Sequence, residues 1–249
     1  MPVSERIETL AVFLDIDGTL LDIAPSPQAV IVPAGLIDAL MRLHDSLAGA
    51  LAFVSGRPLV EIDRLFAPMH IPAAAEHGAV VRLPDGKVEE ANIAVPKAWR
   101  TALKQLAAQH PGIFIEEKAH SIVTHYRLAP DAEPIVRQAV HQIAAGALDR
   151  FDVLPARMAY ELCGRDVAKG AAVRRLMRIP PFAGRKPIYV GDDATDEPAI
   201  AAVQETGGLG FHVARDFNGQ PERVRAWIRS LVEPPARTAA DSGTTGLAR

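Results

Sequence analysis

The chain has 249 residues, 49% hydrophobic and 23% charged, the balance of an ordinary globular protein with core material for one large domain or two small ones. Its net charge of −3 is dispersed, with no basic stripe, which argues against nucleic acid or an anionic membrane as partner. A single cysteine, Cys163, excludes an intrachain disulfide and a cysteine-built metal site.

The N-terminus lacks the basic and apolar regions of a signal peptide. No apolar run approaches the ~20 residues that span a bilayer. A cytoplasmic location is therefore the expectation.

Residues 11–14, Ala-Val-Phe-Leu, form an apolar run of the kind buried on both faces of a parallel sheet, and lead into Asp15-Ile16-Asp17-Gly18-Thr19-Leu20. Leu36, Leu40, Leu43 and Leu47 follow at helical spacing. Residues 50–54 predict a second buried strand ending in Ser55-Gly56-Arg57, and Leu59, Ile62, Leu65 and Phe66 a second helix face. Residues 79–83 before Pro84-Asp85-Gly86-Lys87 predict a strand entering a hairpin turn. Strand–helix–strand units of this length predict an α/β fold with a doubly wound, Rossmann-like parallel sheet.

From residue 95 the pattern changes. Trp99, Leu103 and Leu106 mark a helix, residues 112–116 and 121–127 two strands, and Ile135, Ala139, Ile143 and Ala147 one side of a longer helix. Two short strands, 151–154 and 158–162, close the segment. Helix, hairpin, helix, hairpin is the order of an α+β layer, so residues 95–165 are read as a second domain inserted between core segments 1–94 and 166–232. After Lys169-Gly170 come a helix through Val173, Leu176 and Met177, then a strand over 187–190 ending in Gly191-Asp192-Asp193-Ala194-Thr195-Asp196-Glu197. Thr195 or Asp196 is placed to cap the next helix. A strand at 210–213 and a helix through Val224, Trp227, Ile228 and Leu231 complete the core, and 233–249 reads as a disordered tail.

Asp15 and Asp17 are two apart at a strand end, so both can project to one side. One carboxylate can attack phosphorus while the other serves the leaving oxygen, given a cation to screen the charge. Crowded acids at the carboxyl ends of parallel strands repel unless a cation lies between them, and hard oxygen ligands favour Mg²⁺. Ser55 can offer a hydroxyl and a backbone N–H to a phosphoryl oxygen, and Lys169 opens a helix where an anion is favoured. Each feature also has a plain reading: a turn, a loop start, a solvated lysine, a capping acid. Together, in chain order on one sheet edge, they point to phosphoryl transfer.

Asp-x-Asp-Gly-Thr-Leu, Ser-Gly-Arg, Lys-Gly and Gly-Asp-Asp-x-Thr-Asp-Glu resemble the haloacid-dehalogenase-like (HAD) phosphatases from about residue 10 to 232. Glu76-His77-Gly78-Ala79, Glu116-x-Lys118, His125-Tyr126-Arg127 and Glu161, with the residue 13–20 and Gly191 to Glu197 blocks, narrow the resemblance to the trehalose-6-phosphate phosphatase family. The resemblance implies an aspartyl-phosphate mechanism, with Asp15 as nucleophile and metal ligand. Asp17 would be general acid and base, its carbonyl on Mg²⁺. Ser55 and Lys169 would hold the phosphoryl group, joined in substrate binding by Gly56 and Arg57. Asp192 would complete the metal site, with Asp193 or Asp196 in support. An inserted cap would grip sugar hydroxyls through Glu116, Lys118 and Glu161, with Arg127 beside them. The expected partner is a small sugar phosphate, and the expected state a monomer or weak oligomer.

Two alternatives stay open: a phosphatase for another sugar phosphate, such as sucrose 6-phosphate, and a sugar-phosphate-sensing module without turnover. The family's Arg-Pro pair after the cap glutamate is replaced here by Leu162-Cys163-Gly164-Arg165, leaving Arg165 as its candidate substitute. His77 and His125 are read as structural groups, since no histidine pair has metal-ligand spacing. Glu116 and Lys118 also fit the solvated face of a strand.

Overall fold

The computed structural model describes residues 6–25, 29–92, 94–156, 158–165 and 167–232. The tail expected over 233–249 lies outside them.

Five strands pair in parallel: β1 (Leu10–Leu14), β2 (Leu51–Val54), β3 (Ala73–Ala75), β10 (Lys186–Gly191) and β11 (Leu209–His212). The antiparallel hairpin of β4 (Val80–Arg82) and β5 (Val88–Glu90) extends one edge, giving the order β11-β10-β1-β2-β3-β4-β5. β1 is central and buried at every residue, which is why its sequence is continuously apolar rather than alternating. Its register against β10 sets Leu14 beside Val190, so that Asp15 and Asp192 emerge at the same edge. β3 was not anticipated. Three alanines carry no bulky or β-branched signal, and what places them is pairing with Phe53 and Val54 of β2.

Helices α1 (Leu36–Ser46), α2 (Leu59–Phe66), α5 (Lys169–Leu176), α6 (Glu197–Gln204) and α8 (Pro221–Val232) flank this sheet, with the short α7 (Val213–Asp216) between β11 and α8. Their apolar stripes and the strands form one core, in which Phe13 stacks on Phe182 at 5.3 Å and Phe53 on Phe66 at 4.4 Å. Each such buried side chain contributes about 1.5–3 kcal/mol of transfer free energy.

A second, wholly antiparallel sheet runs β6-β7-β9-β8: β6 (Phe114–Glu117), β7 (Ser121–His125), β8 (Phe151–Ala156) and β9 (Ala159–Gly164). Against it pack α3 (Lys97–Gln109) and α4 (Glu133–Ala144), around a separate core that includes Leu103, Ile122, Val140 and Leu162. The buried face of α4 differs from expectation. Val136, Val140 and Ala144 point inward, while Ile135 is 42% exposed. Val136 and Ile135 are both apolar, so spacing alone could not tell which set faces the sheet.

Candidate active site

The carboxyl ends of β1, β2 and β10 and the first residue of α5 converge on one edge. Asp15 is buried, its Oδ1 2.8 Å from Lys169 Nζ and its Oδ2 accepting from the Thr19 hydroxyl at 3.0 Å. Burial pushes the Asp15 carboxyl well above its usual range, and Lys169 opposes that shift. For Lys169, burial disfavours the ammonium, but Asp15 and Asp196 outweigh it and push its pKa up. The lysine is a fixed positive charge in a dry site.

Asp196 does not line the site; it sits fully buried behind it. Its Oδ1 accepts from Lys169 at 2.6 Å and from the Tyr189 hydroxyl at 2.5 Å, and its Oδ2 from the backbone N–H groups of Asp192 and Asp193 at 3.0 and 3.1 Å. Asp193 accepts from the Thr195 N–H at 2.8 Å and forms a capping box with Asp196 on the 3₁₀ turn Ala194–Asp196. Asp196 stands at the N-cap position of α6 but makes no side-chain cap bond there; the side-chain cap is Asp193, one 3₁₀ turn earlier.

Oxygens of Asp15, Asp192 and Asp196 lie within 4.8 Å of one another. Each Asp196 oxygen already accepts two hydrogen bonds, whereas each Asp15 oxygen accepts one, so Asp15 and Asp192 are the carboxylates with capacity for a cation. Burial, with Asp193 and Asp196 close by, pushes the Asp192 carboxyl up to about 7. Carboxylates crowded this closely gain from a cation between them, and hard oxygen donors here suit a divalent one. Gly18 is required at this point: its φ is +76°, and a Cβ there would stand 2.0 Å from Asp192 Oδ2.

Asp17 is gripped rather than free. Arg57 donates from Nε and Nη2 to its two carboxylate oxygens, each at 2.6 Å, and from Nη1 to Glu61 at 2.9 Å. The Ser55 hydroxyl accepts from the Arg57 N–H at 3.2 Å and lines the same cavity. Burial works against the Arg57 charge, but Asp17 and Glu61 outweigh it.

Facing this edge across a cavity of about 400 Å³ are charged groups of the antiparallel sheet. Glu116 Oε2 is 2.8 Å from His125 Nε2, and Lys118 Nζ donates to Glu161 Oε1 at 3.1 Å. Ser121 also donates to Glu161 Oε1, at 2.5 Å, while His77 Nε2 lies 2.8 Å from Glu161 Oε2. Burial opposes ionisation of Glu161, yet His77, Lys118 and Ser121 hold its carboxyl far below the usual range. Burial and then His125 and Lys118 act on Glu116 in the same opposed senses, with a net lowering. Arg127 lines the cavity too, but donates to the Pro25 carbonyl at 2.7 Å, tying the antiparallel sheet to the loop after β1.

Asp15, Asp17, Ser55, Gly56, Arg57, Lys169, Asp192 and Asp193 therefore meet Glu116, Lys118, Arg127 and Glu161 around one cavity. Arg165 does not join them: it is largely exposed, 3.5 Å from Asp152. Missed from sequence were Glu61, His77, His125 and Thr195, all lining the cavity, and Tyr189 behind it. Glu61 and Tyr189 are single residues of common types and carry no pattern; His77, His125 and Thr195 fell within motifs already noted, without a site role.

Acids at the carboxyl ends of β1 and β10, a lysine opening α5 and a second sheet facing them belong to a HAD-like hydrolase fold. The fold matches a solved haloacid dehalogenase-like hydrolase from B. subtilis with a TM-score of 0.60 at 16% identity, over 89% of this chain and 92% of that one. A solved trehalose-6-phosphate phosphatase related protein matches with a TM-score of 0.69 at 26% identity, over 90% and 96%. The family model for trehalose-phosphatase matches residues 13–225. The probable trehalose-phosphate phosphatase of Sinorhizobium fredii is 40% identical over 212 residues, 85% of this chain and 80% of that one. The trehalose-6-phosphate phosphatase of Escherichia coli is 35% identical over 203 residues, 81% and 76%. The chain belongs to the trehalose-phosphatase family.

Proposed function

We propose that this chain is a phosphoric monoester hydrolase that converts trehalose 6-phosphate to trehalose and phosphate. The supporting observation is the single cavity that joins the Asp15–Lys169 edge to Glu116, Lys118 and Glu161. One wall suits a phosphoryl group, and the other, three charged groups on a dry sheet face, suits a polyhydroxylated leaving group. Residues 95–165 then serve as a cap over core segments 1–94 and 166–232.

Asp15 attacks phosphorus, forming an aspartyl-phosphate as the bond to the sugar oxygen breaks, and Asp17 gives that oxygen its proton. Asp17 next takes a proton from water, which attacks phosphorus and frees the Asp15 carboxylate. For either proton transfer the Arg57 fork on Asp17 must open, and a phosphoryl oxygen is a competing partner for that guanidinium. Ser55 and Lys169 hold the phosphoryl oxygens throughout. Asp15, the Asp17 carbonyl and Asp192 would hold Mg²⁺, which when bound supplies charge neutralisation among the acids. Asp193 and Asp196 fix the loop that carries Asp192.

Phosphate release measured with Mg²⁺ on trehalose 6-phosphate, sucrose 6-phosphate, glucose 6-phosphate and an aryl phosphate tests the reading. The expected result is a clear preference for trehalose 6-phosphate, lost with excess EDTA and restored by Mg²⁺. Equal rates on all four, or full turnover after metal removal, would overturn it.

A further inference from the structure

Glu161 stands on β9 of the antiparallel sheet, yet its carboxylate is shared between the two sheets. Lys118 and Ser121, both neighbours within its own sheet, donate to Oε1. The bond to Oε2 comes from His77, 84 residues away, on the 3₁₀ turn Glu76–Gly78 that follows β3. Two backbone features of the parallel-sheet part bear on this one imidazole. His77 is held at φ 58°, in the left-handed region that a side chain rarely adopts. Gly56 clears the space for the ring: a Cβ there would stand 2.6 Å from His77 Nε2. The ring is buried, and its Nδ1 has no partner among the described residues. With an ionised Glu161 as acceptor, Nε2 carries the proton of that bond.

A carboxylate offers about four acceptor positions. Three are filled on Glu161, two of them on Oε1, and the side chain lines the cavity. The position left is on Oε2, whose direction depends on His77. Without His77 the two bonds on Oε1 leave Oε2 free to swing about them.

We infer that His77 is a positioning residue for sugar recognition: from the parallel-sheet part it orients Glu161 on the antiparallel sheet, so that Glu161 presents its open acceptor position to a sugar hydroxyl when the two parts are closed together. The inference rests on the sugar-phosphate reading above. It goes further in assigning specificity to a core residue whose ring bonds to Glu161 rather than to the acid cluster, and in making recognition of the sugar conditional on closure.

The test compares the Mg²⁺-loaded enzyme with His77→Ala, His77→Gln, Glu161→Ala and the double variant His77→Ala/Glu161→Ala. For each, kcat and KM are measured on trehalose 6-phosphate and on an aryl phosphate. His77→Ala is expected to lower kcat/KM for trehalose 6-phosphate roughly tenfold or more beyond any loss on the aryl phosphate. His77→Gln, whose amide N–H can donate from about the place of Nε2, should recover part of that loss. In the Glu161→Ala background, adding His77→Ala should cost nothing further, because its only route is through Glu161. Equal losses on both substrates, additive losses in the double variant, or no rescue by glutamine would each overturn the inference. Melting curves identify unfolded variants; if His77→Ala does not fold, the glutamine variant alone and combined with Glu161→Ala carries the same comparison. A wild-type enzyme with no preference for trehalose 6-phosphate would refute the substrate reading and this inference together. One whose preference survives loss of His77 would refute the inference alone.

Discussion

Asp15 and Asp196 share Lys169, so removing the charge of either leaves the ammonium a second partner. That asymmetry makes Asp15→Asn informative. The amide keeps the volume and leaves the Lys169–Asp196 bond in place, but it is a poor nucleophile. Phosphate release should vanish while the melting transition remains cooperative. Mass spectrometry of the wild type after brief exposure to substrate should find phosphate on Asp15, and phosphate on another residue would overturn that role. Cys163 invites a simpler measurement. Its thiol is buried on β9, and burial, with the Glu161 charge nearby, pushes its pKa up to about 12. At pH 8 the thiolate is scarce and unreachable, so an aromatic disulfide should titrate no thiol in the native protein and one after denaturation. Prompt reaction of the native protein would mean that β9 opens readily.

Secondary-structure elements here position chemistry through their ends. β10 delivers Asp192, but the turn after it is held by Asp193 and Asp196, which bond the backbone on both sides of the bend. Asp193→Ala removes the cap and should cost about 0.5–2 kcal/mol of stability. It should also raise the Mg²⁺ concentration needed for activity more than a surface substitution of equal cost, because it loosens the loop that carries Asp192. Thermal melting and an Mg²⁺ titration of activity check the two effects, and a stability loss with an unchanged metal requirement would limit Asp193 to capping. On the other sheet, Glu116 and Lys118 alternate along and just beyond β6, which turns both toward the cavity. Alanine at either should reduce kcat/KM roughly ten- to a hundredfold on trehalose 6-phosphate and far less on an aryl phosphate. Equal losses on the two substrates would make them structural.

At the scale of the whole molecule, the two cores are separate and what joins them near the site is polar. Glu161 meets His77, Arg127 donates to the Pro25 carbonyl, and the His120 N–H donates to Glu76 at 2.9 Å. Contacts of this kind exchange readily with water. The Glu161 carboxylate among them also ties stability to pH. The folded-state carboxyl of Glu161 lies below its unfolded value of about 4.3, so its contribution is fully present above that pH and is lost as pH falls through the folded value. Below about pH 4.3 the melting temperature of the wild type should therefore fall more steeply than that of Glu161→Gln, which carries no such titration. Parallel acid limbs for the two proteins would show that the buried carboxylate contributes nothing to the linkage.

Much of this was already written in local pattern. A strand buried on both faces must be continuously apolar, and the sequence therefore marks β1, β2 and β10, with the acids that follow β1 and β10 and the serine that follows β2. The helix–hairpin rhythm over 95–165 likewise announces a different layer. Local pattern stops where a side chain's partner is distant in the chain. Nothing near His77 says that its ring meets Glu161, nothing near Asp17 says that Arg57 holds both its oxygens, and nothing in three alanines says that they pair with β2. Asp196 shows the division most clearly: its place in an acidic run suggested support for a metal, and only the fold reveals its own partners, Lys169, Tyr189 and the two backbone N–H groups of the loop that carries Asp192. Sequence alone determined which groups stand at the sheet edge, because periodicity and turn chemistry act over a few residues. Only the tertiary structure decided which of those groups are already bonded to one another and which still face the cavity, because that depends on burial and on contacts between elements far apart in the chain.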